Sequence, residues 1–285
     1  MNVKLRRGTA EDAERCGAIC YDAFKTIATA HHFNPDFPSA EVAIGLIRSL
    51  LEHPGFYSVV AEADGHIVGS NFLDERNIIA GVGPITIDPA VQNKAIGRRL
   101  MENVYERATE KRFAGVRLVQ SAYHTRSLSL YAKLGYQVRE PLACLQGAPL
   151  GLVISGYDVR AAAEADLEAC NQICREVHGH DRAGELLDAI KRESATVVEN
   201  NGRVTGYATV IGFFGHAVGE TNREIQALIG AAKEFAGPGF LLPMRNGEVF
   251  RWCLQHGLRV VQSMTLMSKG LYNRPAGAFL PSILY

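Results

Sequence analysis

Residues 92–100 combine side-chain types and spacings that suit the binding of a pyrophosphate. They follow an apolar strand and open a helix, whose first N–H groups lack partners and whose dipole favours negative charge. Small residues at 95 and 97 let a ligand approach the backbone, and three basic side chains add positive charge. The segment reads Gln92, Asn93, Lys94, Ala95, Ile96, Gly97, Arg98, Arg99, Leu100. The alternative interpretation is a solvated basic first turn without a ligand.

Other motif classes are missing from the sequence. It has no GxxxxGKS/T phosphate loop, no GxGxxG dinucleotide fingerprint and no GxSxG segment that could carry a hydrolase nucleophile. His178, His180 and Asp181, which follow Cys174 by about one helical turn, form a conceivable ligand cluster. No CxxC or HExxH motif supports it, so we expect no metal site.

Two segments resemble the GNAT superfamily of N-acetyltransferases. Gln92–Gly97 is similar to the Q/R-x-x-G-x-G/A motif, which in that family cradles the pyrophosphate of acetyl-CoA. The preceding segment Gly83–Pro89 resembles the fourth strand, whose backbone pairs with the pantetheine arm. Downstream, His124–Tyr136 resembles the N-x-x-A-x-x-L-Y-x-K-x-G-F block. The resemblance covers about residues 3–140 and implies a mixed β-sheet flanked by helices, an α/β fold.

The resemblance also implies a set of residues that contact acetyl-CoA. They are Ile85, Thr86, Ile87, Gln92, Asn93, Lys94, Ala95, Ile96, Gly97, Arg98, Arg99, His124 and Ser127. Three of them depart from the family pattern. Ala95 replaces a loop glycine, and His124 and Ser127 stand where Asn and Ala are usual. We expect acetyl-CoA binding to survive the extra methyl group of Ala95.

The chemistry implied by the resemblance is direct acyl transfer to an amine. Tyr131 matches the family's usual acid, and a phenol with a pKa near 10 can share a proton with a departing thiolate. A core aromatic is the alternative for this residue. A base must also deprotonate the amine, and we expect Glu75 to serve, with Asp74 beside it near the acceptor. Solvated turn charges are the alternative for these two carboxylates.

His31 and His32 follow the first helix, in a segment that ends in Phe33–Pro38. In proteins that this chain resembles, that segment borders the acceptor pocket. Either histidine is therefore a candidate to bind or deprotonate the acceptor. The alternative is that both belong to a surface loop.

An internal repeat divides the chain into two halves. Arg6–Cys20 matches Arg160–Cys174 at an offset of 154 residues, at six identical positions. A second match, at an offset of 137, aligns two β-hairpins whose turns are Asp64-Gly65 and Asn201-Gly202. Two matches in the same order favour duplication over two unrelated hairpins.

The elements of the first half follow from hydrophobic period and turn residues. The predicted strands are Asn2–Arg6, Tyr57–Ala63, His66–Asp74, Val82–Asp88, Gly115–Ser121 and Tyr136–Arg139. One helix is predicted from about Gln92 or Ala95 to Phe113, and another over Thr125–Leu134. Pro141–Tyr157 is predicted as a linker. The expected organisation is a catalytic domain over 1–143, a linker over 144–156 and a second domain over 157–285.

The second half is predicted to be a degenerate copy that shapes the acceptor pocket. Residues 246–258 align with the Tyr131 block at an offset of 122, which places Cys253 at the tyrosine position. No pyrophosphate loop occurs between Phe213 and Glu234; Thr221–Glu224 instead predicts a capping box. Polar and aromatic candidates there are Phe213, Phe214, His216, Arg245, Asn246 and Trp252. The apolar tail Phe279–Tyr285 is expected to dock on the body.

Composition limits the partners. The 30 basic and 30 acidic residues cancel, so neither nucleic acid nor a membrane surface is an expected partner. No apolar segment follows Arg6 and Arg7, so we do not expect the start of the chain to be a signal peptide. The six cysteines are expected to be mostly buried and reduced in a cytoplasmic protein. The predicted function is acetyl-CoA-dependent acetylation of a primary amine on a small molecule. A CoA or acyl-CoA sensor and a silent interaction protein are the alternatives, and the sequence leaves a homodimer open.

Overall fold

The computed structural model describes residues 2–284 as a mixed α/β protein. The strands of the first half are β1 Val3–Arg7, β2 Phe56–Ala63, β3 His66–Asp74, β4 Ile79–Val82, β5 Thr86–Ile87, β6 Gly115–Ser121 and β7 Gln137–Gln146; its helices are α1 Ala13–Ala30, α2 Ala40–Glu52, α3 Ile96–Glu110 and α4 Thr125–Lys133. The strands of the second half are β8 Asp158–Ala161, β9 Thr196–Asn200, β10 Arg203–Ala208, β11 Ala217–Gly219, β12 Phe240–Pro243, β13 Arg259–Gly270 and β14 Ala278–Leu280; its helices are α5 Leu167–His178, α6 Ala183–Lys191, α7 Asn222–Ala231 and α8 Gly247–Gln255. Within residues 2–284, no helix is long and apolar enough to cross a membrane.

The repeat is visible as a shared set of ion pairs. Arg6 binds Asp12 at 2.7 Å and Glu62 at 2.6 Å, which ties the start of α1 to the first hairpin. Arg160 binds Asp166 at 2.7 Å and Glu199 at 2.6 Å in the second half. These are the residues that the two sequence offsets align, so the matches reflect equivalent positions in two similar units.

Two predicted boundaries were wrong. The predicted strand Val82–Asp88 contains only the last residue of β4 and the two residues of β5, because Pro84 cannot donate to a strand ladder and interrupts the pairing. The last predicted strand of the first half extends to Gln146, six residues into the predicted linker Pro141–Tyr157. Glycine and proline alone did not end it, since Pro141 pairs with Thr265 inside the sheet.

The two halves exchange strands. The larger sheet has the order β1-β2-β3-β4-β6-β13-β7-β12, with β5 paired to β3. Strand β13 of the second half therefore lies between β6 and β7 of the first, while β12 pairs with β7. A smaller sheet with the order β14-β11-β10-β9-β8 belongs to the second half alone.

Helices cover this framework and exclude water from several apolar clusters. Leu100, Met101 and Val104 of α3 pack on the first-half sheet, and α1 and α2 pack on its other face through residues such as Cys16 and Ile47. The six cysteines, Cys16, Cys20, Cys144, Cys170, Cys174 and Cys253, are buried and unpaired. The expectation that they act as small buried side chains is confirmed.

Candidate functional site

A cavity of about 440 Å³ lies in the first half, where the sheet opens. Strands β4 and β6 pair in parallel only from Ile79 opposite Gly115 to Gly81 opposite Arg117. Beyond that point β5 pairs with β3 and with no other described strand, so one edge of β5 is left free. Ile85, Thr86 and Ile87 line one wall of the cavity, and Leu118–Ser121 of β6 line the opposite wall.

The loop before α3 forms one end of this cavity. Asn93 and Ala95 adopt left-handed backbone conformations, with φ of 68° and 60°. No side chain caps the start of α3 at Ala95. The first turn of the helix therefore presents unsatisfied N–H groups, which favour an anion.

Most residues of the predicted pyrophosphate loop border the cavity. They are Gln92, Asn93, Ala95, Ile96, Gly97 and Arg98. A Cβ atom at Gly97 would lie 3.2 Å from Ile87 Cδ1 and 3.6 Å from Leu130 Cδ2, so a larger side chain would fill this cradle.

Two basic residues of the loop are placed elsewhere. Lys94 is exposed and does not line the cavity, and Arg99 Nη1 donates to the Val3 carbonyl oxygen at 2.7 Å. Helical spacing turns Arg99 toward β1, and Lys94 precedes the helix, so neither side chain is among the residues that border the cavity. Their contact with the pyrophosphate stays a prediction.

Arg126 is a cation that the sequence analysis left out. It lines the cavity at the start of α4, and its guanidinium donates to Gln92 Oε1 at 2.5 Å and Asn93 Oδ1 at 3.1 Å. It thereby joins two helix N-termini at one end of the cavity. Arg126 lies in the first turn of the second motif block, and this position was the sequence signal that could have identified it as a cavity residue.

His124, Ser127 and Tyr131 lie along the start of α4 and border the cavity. Ser127 Oγ is hydrogen-bonded to His124 Nδ1 and also to Tyr131. Burial lowers the pKa of His124 to about 4, with Arg126 adding to the effect, so its imidazole is neutral at pH 7. Burial raises the pKa of Tyr131 to about 12, with Ser127 opposing it, so the phenol keeps its proton.

The predicted base and its neighbour lie outside the cavity lining. Glu75 accepts two hydrogen bonds from Arg107, at 2.6 and 3.0 Å. Asp74 is buried against Arg76, with a contact of 2.5 Å. At the end of β3 and just after it, both carboxylates pair with arginines and neither lines the cavity. A role of either in deprotonating or binding the acceptor stays a prediction.

The predicted acceptor histidines also do not line the cavity. Both are exposed, His31 Nδ1 lies 3.0 Å from the Ile27 carbonyl oxygen, and the His31 ring stacks on Tyr123 at 5.2 Å. A residue of the same segment does line it: Asp36, which the sequence analysis did not single out. The helix ends at Ala30, and the chain then turns enough to bring Asp36 instead of His31 or His32 inward.

In the described part of the second half, a strand covers the edge that corresponds to the free edge of β5. Strand β14 pairs with β11 in the position that would correspond to the first-half gap, and it also packs against β12. Thr221 accepts a hydrogen bond from the Arg223 N–H at 3.1 Å, and its own N–H donates to Glu224 at 2.8 Å. The predicted capping box is confirmed, and it satisfies the N-terminus of α7 with the chain's own groups.

The second-half candidates divide between two places. Phe213 and Phe214 line the main cavity. Arg245 and Asn246 border a separate cavity of about 230 Å³ with Phe279. His216 is buried, 2.9 Å from Tyr207 Oη, and Trp252 packs on His256. Among residues 2–284, no group of three or more His, Cys, Asp or Glu side chains is arranged to hold a metal ion.

Comparisons with known proteins fit this geometry. Residues 54–138 match a family model described as an acetyltransferase (GNAT) domain. The opened sheet and the loop before α3 thus belong to an acetyltransferase domain. The matched segment contains both the first motif and the second, in agreement with the resemblance that the sequence predicted. A comparison with proteins of curated function finds no match.

Solved structures extend the likeness to both halves. A proposed acetyltransferase from Pyrococcus horikoshii is 18% identical with a TM-score of 0.73, and the match covers 94% of this chain and 89% of that one. A GCN5-related N-acetyltransferase from Sphaerobacter thermophilus is 16% identical with a TM-score of 0.61, over 95% and 96%. A tandem GNAT protein from the clavulanic acid biosynthesis pathway is 13% identical with a TM-score of 0.56, over 94% and 98%. At these identities the likeness concerns the fold.

Proposed function

We propose that this chain transfers the acetyl group of acetyl-CoA to a primary amine of a small molecule, and that only the first half catalyses the reaction. The observation that carries the proposal is the cavity between β5 and β6, which ends at the uncapped N-terminus of α3. A free strand edge and a cluster of unsatisfied N–H groups are what an extended arm that carries a pyrophosphate requires.

The residues of the cavity suit such a ligand. The N–H groups at the start of α3, together with Arg126 and Arg98, would bind the pyrophosphate. The edge of β5 would hydrogen-bond the arm, and the buried Thr86 hydroxyl, which has no partner within residues 2–284, is available to it. Bound acetyl-CoA supplies an acetyl group activated as a thioester.

Tyr131 would act as the acid. Its hydroxyl holds a proton at pH 7 because burial raises its pKa to about 12, and it can donate that proton to a departing sulfur. Ser127, bonded to His124 on one side and Tyr131 on the other, would hold the phenol in position. Neutral His124 would stabilise this orientation without adding charge.

We assign the second half a supporting role. The catalytic unit would span 1–143 and the degenerate unit 157–285, with β7 and β13 exchanged between them. The connection would be 144–156, whose first three residues complete β7. Phe213, Phe214 and Met264 of the second half line the catalytic cavity, as do Ile283 and Leu284 of the tail. A degenerate copy would therefore be retained because it completes the acceptor end.

Two measurements test the proposal. Calorimetric titration with acetyl-CoA should give one site per chain, and incubation with a library of primary amines should release free CoA and an N-acetylated product detected by mass spectrometry. Absence of binding would overturn the proposal. Binding without turnover of any amine would overturn the transfer step, and two sites would overturn the silence of the second half.

A further inference from the structure

Asp36 supplies the only carboxylate among the described residues that line the main cavity. It lies in the segment after α1, beside Phe37, whose ring packs edge-to-face on Phe24 at 5.9 Å and anchors the segment to the helix. Burial raises the pKa of Asp36, and a hydrogen bond from Gln262 opposes the shift.

No cation compensates this carboxylate within residues 2–284. Gln262 Nε2 donates to Asp36 Oδ1 at 3.2 Å, and that amide is the one hydrogen-bond partner of the side chain in the described part of the chain. The two arginines that line the cavity, Arg98 and Arg126, belong to the starts of α3 and α4 at the anion-binding end. An enclosed carboxylate without a cation is costly, and a bound cation offsets that cost.

One polar side chain of the cavity lacks any hydrogen-bond partner in the described part of the chain. Gln120 of β6 is 6% exposed and lines the cavity, and neither its Oε1 nor its Nε2 has a hydrogen-bond partner in residues 2–284. Buried amides are nearly always hydrogen-bonded, so both atoms are available to a ligand that carries its own polar group.

The remaining walls at this end are apolar. Phe24 and Phe37 come from the first half, and Phe213, Phe214 and Met264 come from the second. One negative charge, one free amide and a surrounding of aromatic and thioether groups describe a site for an amphipathic cation.

We propose that Asp36 binds the amino group of the acceptor in its ammonium form, and that the acceptor is a primary amine with a single positive charge on an apolar body that carries no carboxylate. The ammonium loses one proton to solvent before the neutral amine attacks the thioester carbon. The proton that the nitrogen loses when the C–S bond breaks replaces the one that Tyr131 gives to the departing sulfur. The proposal rests on the acetyl transfer proposed above and specifies its acceptor. Gln262, which belongs to the second half, positions Asp36, so the charge that selects the acceptor is held across the two halves. Gln120 takes a hydroxyl or carbonyl group of the same molecule.

A matched set of amines tests this acceptor class. Tyramine and tyrosine share the amine, the ring and the hydroxyl, and differ in the carboxylate beside the amine. That carboxylate would lie next to Asp36, and like charges in one apolar site repel. We expect kcat/KM to be at least roughly 100-fold higher for tyramine than for tyrosine, since a like-charge clash of about 2.7 kcal/mol corresponds to that ratio. Spermidine, which lacks an apolar body, should also be poor.

The Asp36→Asn variant tests the residue. Asparagine keeps the shape and can still accept the Gln262 hydrogen bond, but it has no charge for an ammonium group. We expect the KM for tyramine to rise roughly 100-fold, as for the loss of a charge-assisted hydrogen bond, with acetyl-CoA affinity unchanged. Gln262→Leu should raise the same KM less and leave kcat nearly unchanged. Asp22→Asn, an exposed carboxylate on α1, is the control and should behave as the unaltered protein.

The failures of this inference and of the proposed function are distinguishable. Direct calorimetric titration of tyramine into the protein with bound CoA reads the acceptor site without turnover. If acetyl-CoA binds and amines are acetylated, yet tyrosine matches tyramine or Asp36→Asn leaves KM unchanged, the acceptor inference is overturned alone. If acetyl-CoA does not bind, the proposed function fails, and weak tyramine binding that Asp36→Asn abolishes still supports the charged site.

Discussion

In the first half, the sheet opens beyond Gly81 and Arg117 and leaves a cavity; in the second half, β14 occupies the corresponding gap beside β11. The N-termini of the helices that follow these two positions also differ, again with the first half open and the second half closed. Helix α3 begins at Ala95 without a side-chain cap, whereas α7 begins at Thr221 with a complete capping box. One N-terminus is left available to an anion, and the other is satisfied internally.

The first turns of α4 and α8 carry side chains of opposite charge at aligned positions. Arg126 reaches across to Gln92 and Asn93 in the first half. The repeat offset of 122 places Glu248 at the same position, and it accepts a hydrogen bond from Asn222 at 2.8 Å. The two similar units thus differ in which backbone groups are free to bind a ligand, because a few side chains and one added strand differ between them.

The largest expected effect concerns the cradle at Gly97. In Gly97→Trp the side chain would meet Ile87 and Leu130 and occupy the space beside the α3 N-terminus. Acetyl-CoA binding should fall below detection by calorimetry. Gly45→Trp, on an exposed face of α2 with no atom within 4 Å of its Cβ position, is the control. A site that persists in Gly97→Trp would place binding in the second half and reverse the comparison.

The second prediction compares the two aligned positions Tyr131 and Cys253. Tyr131→Phe should lower kcat roughly 100-fold with acetyl-CoA affinity unchanged, because a general acid is lost. Tyr136→Phe is the control, since the buried Tyr136 hydroxyl has no partner in residues 2–284. Cys253→Ala should leave kcat unchanged, because Cys253 is buried in the second-half core. An unaltered kcat in Tyr131→Phe would remove Tyr131 as the acid.

The third prediction concerns the reversed charge. Arg126→Ala should weaken acetyl-CoA binding about 10-fold, which corresponds to about 1.4 kcal/mol, and the loss should shrink at high salt. Lys133→Ala removes an exposed cation from the other end of α4 and should leave the affinity unchanged. Equal losses in both variants would mean that net charge alone, and not the placement of Arg126, matters.

The smallest effect is expected at the two helix starts, with opposite signs. Ala95→Gly should raise the free energy of unfolding by about 0.5–1 kcal/mol, because glycine adopts the left-handed conformation without the steric cost of a Cβ. Thr221→Ala should lower it by about 1 kcal/mol, because the cap of α7 is lost. Urea denaturation measures both. A gain at both positions, or a loss at both, would contradict the proposed difference between the helices.

Local patterns were sufficient for much of this protein. The repeat, the α3 loop, the Tyr131 block and the Thr221 capping box are each written within about a dozen residues, since turn chemistry, capping and helical period act between near neighbours. Burial of Phe279 and Leu280 in the tail was likewise predictable from its apolar character.

The failures concern interactions between distant residues. Glu75 and Asp74 have the residue type of a base, but Arg107 and Arg76 pair with them, and neither pairing leaves a sequence signal. The extension of β7 to Gln146 depends on β13, more than a hundred residues away, which supplies the hydrogen bonds of its ladder.

The sequence by itself determined the two related units, the helix start at Ala95 and the position of Tyr131, because short-range patterns specify them. Only the tertiary structure decided that the units exchange strands, that β14 closes the second gap and that Asp36 faces the cavity with Gln262 beside it. Strand pairing satisfies backbone groups that are alike at every residue, so the choice of partner follows from the packing of the whole chain.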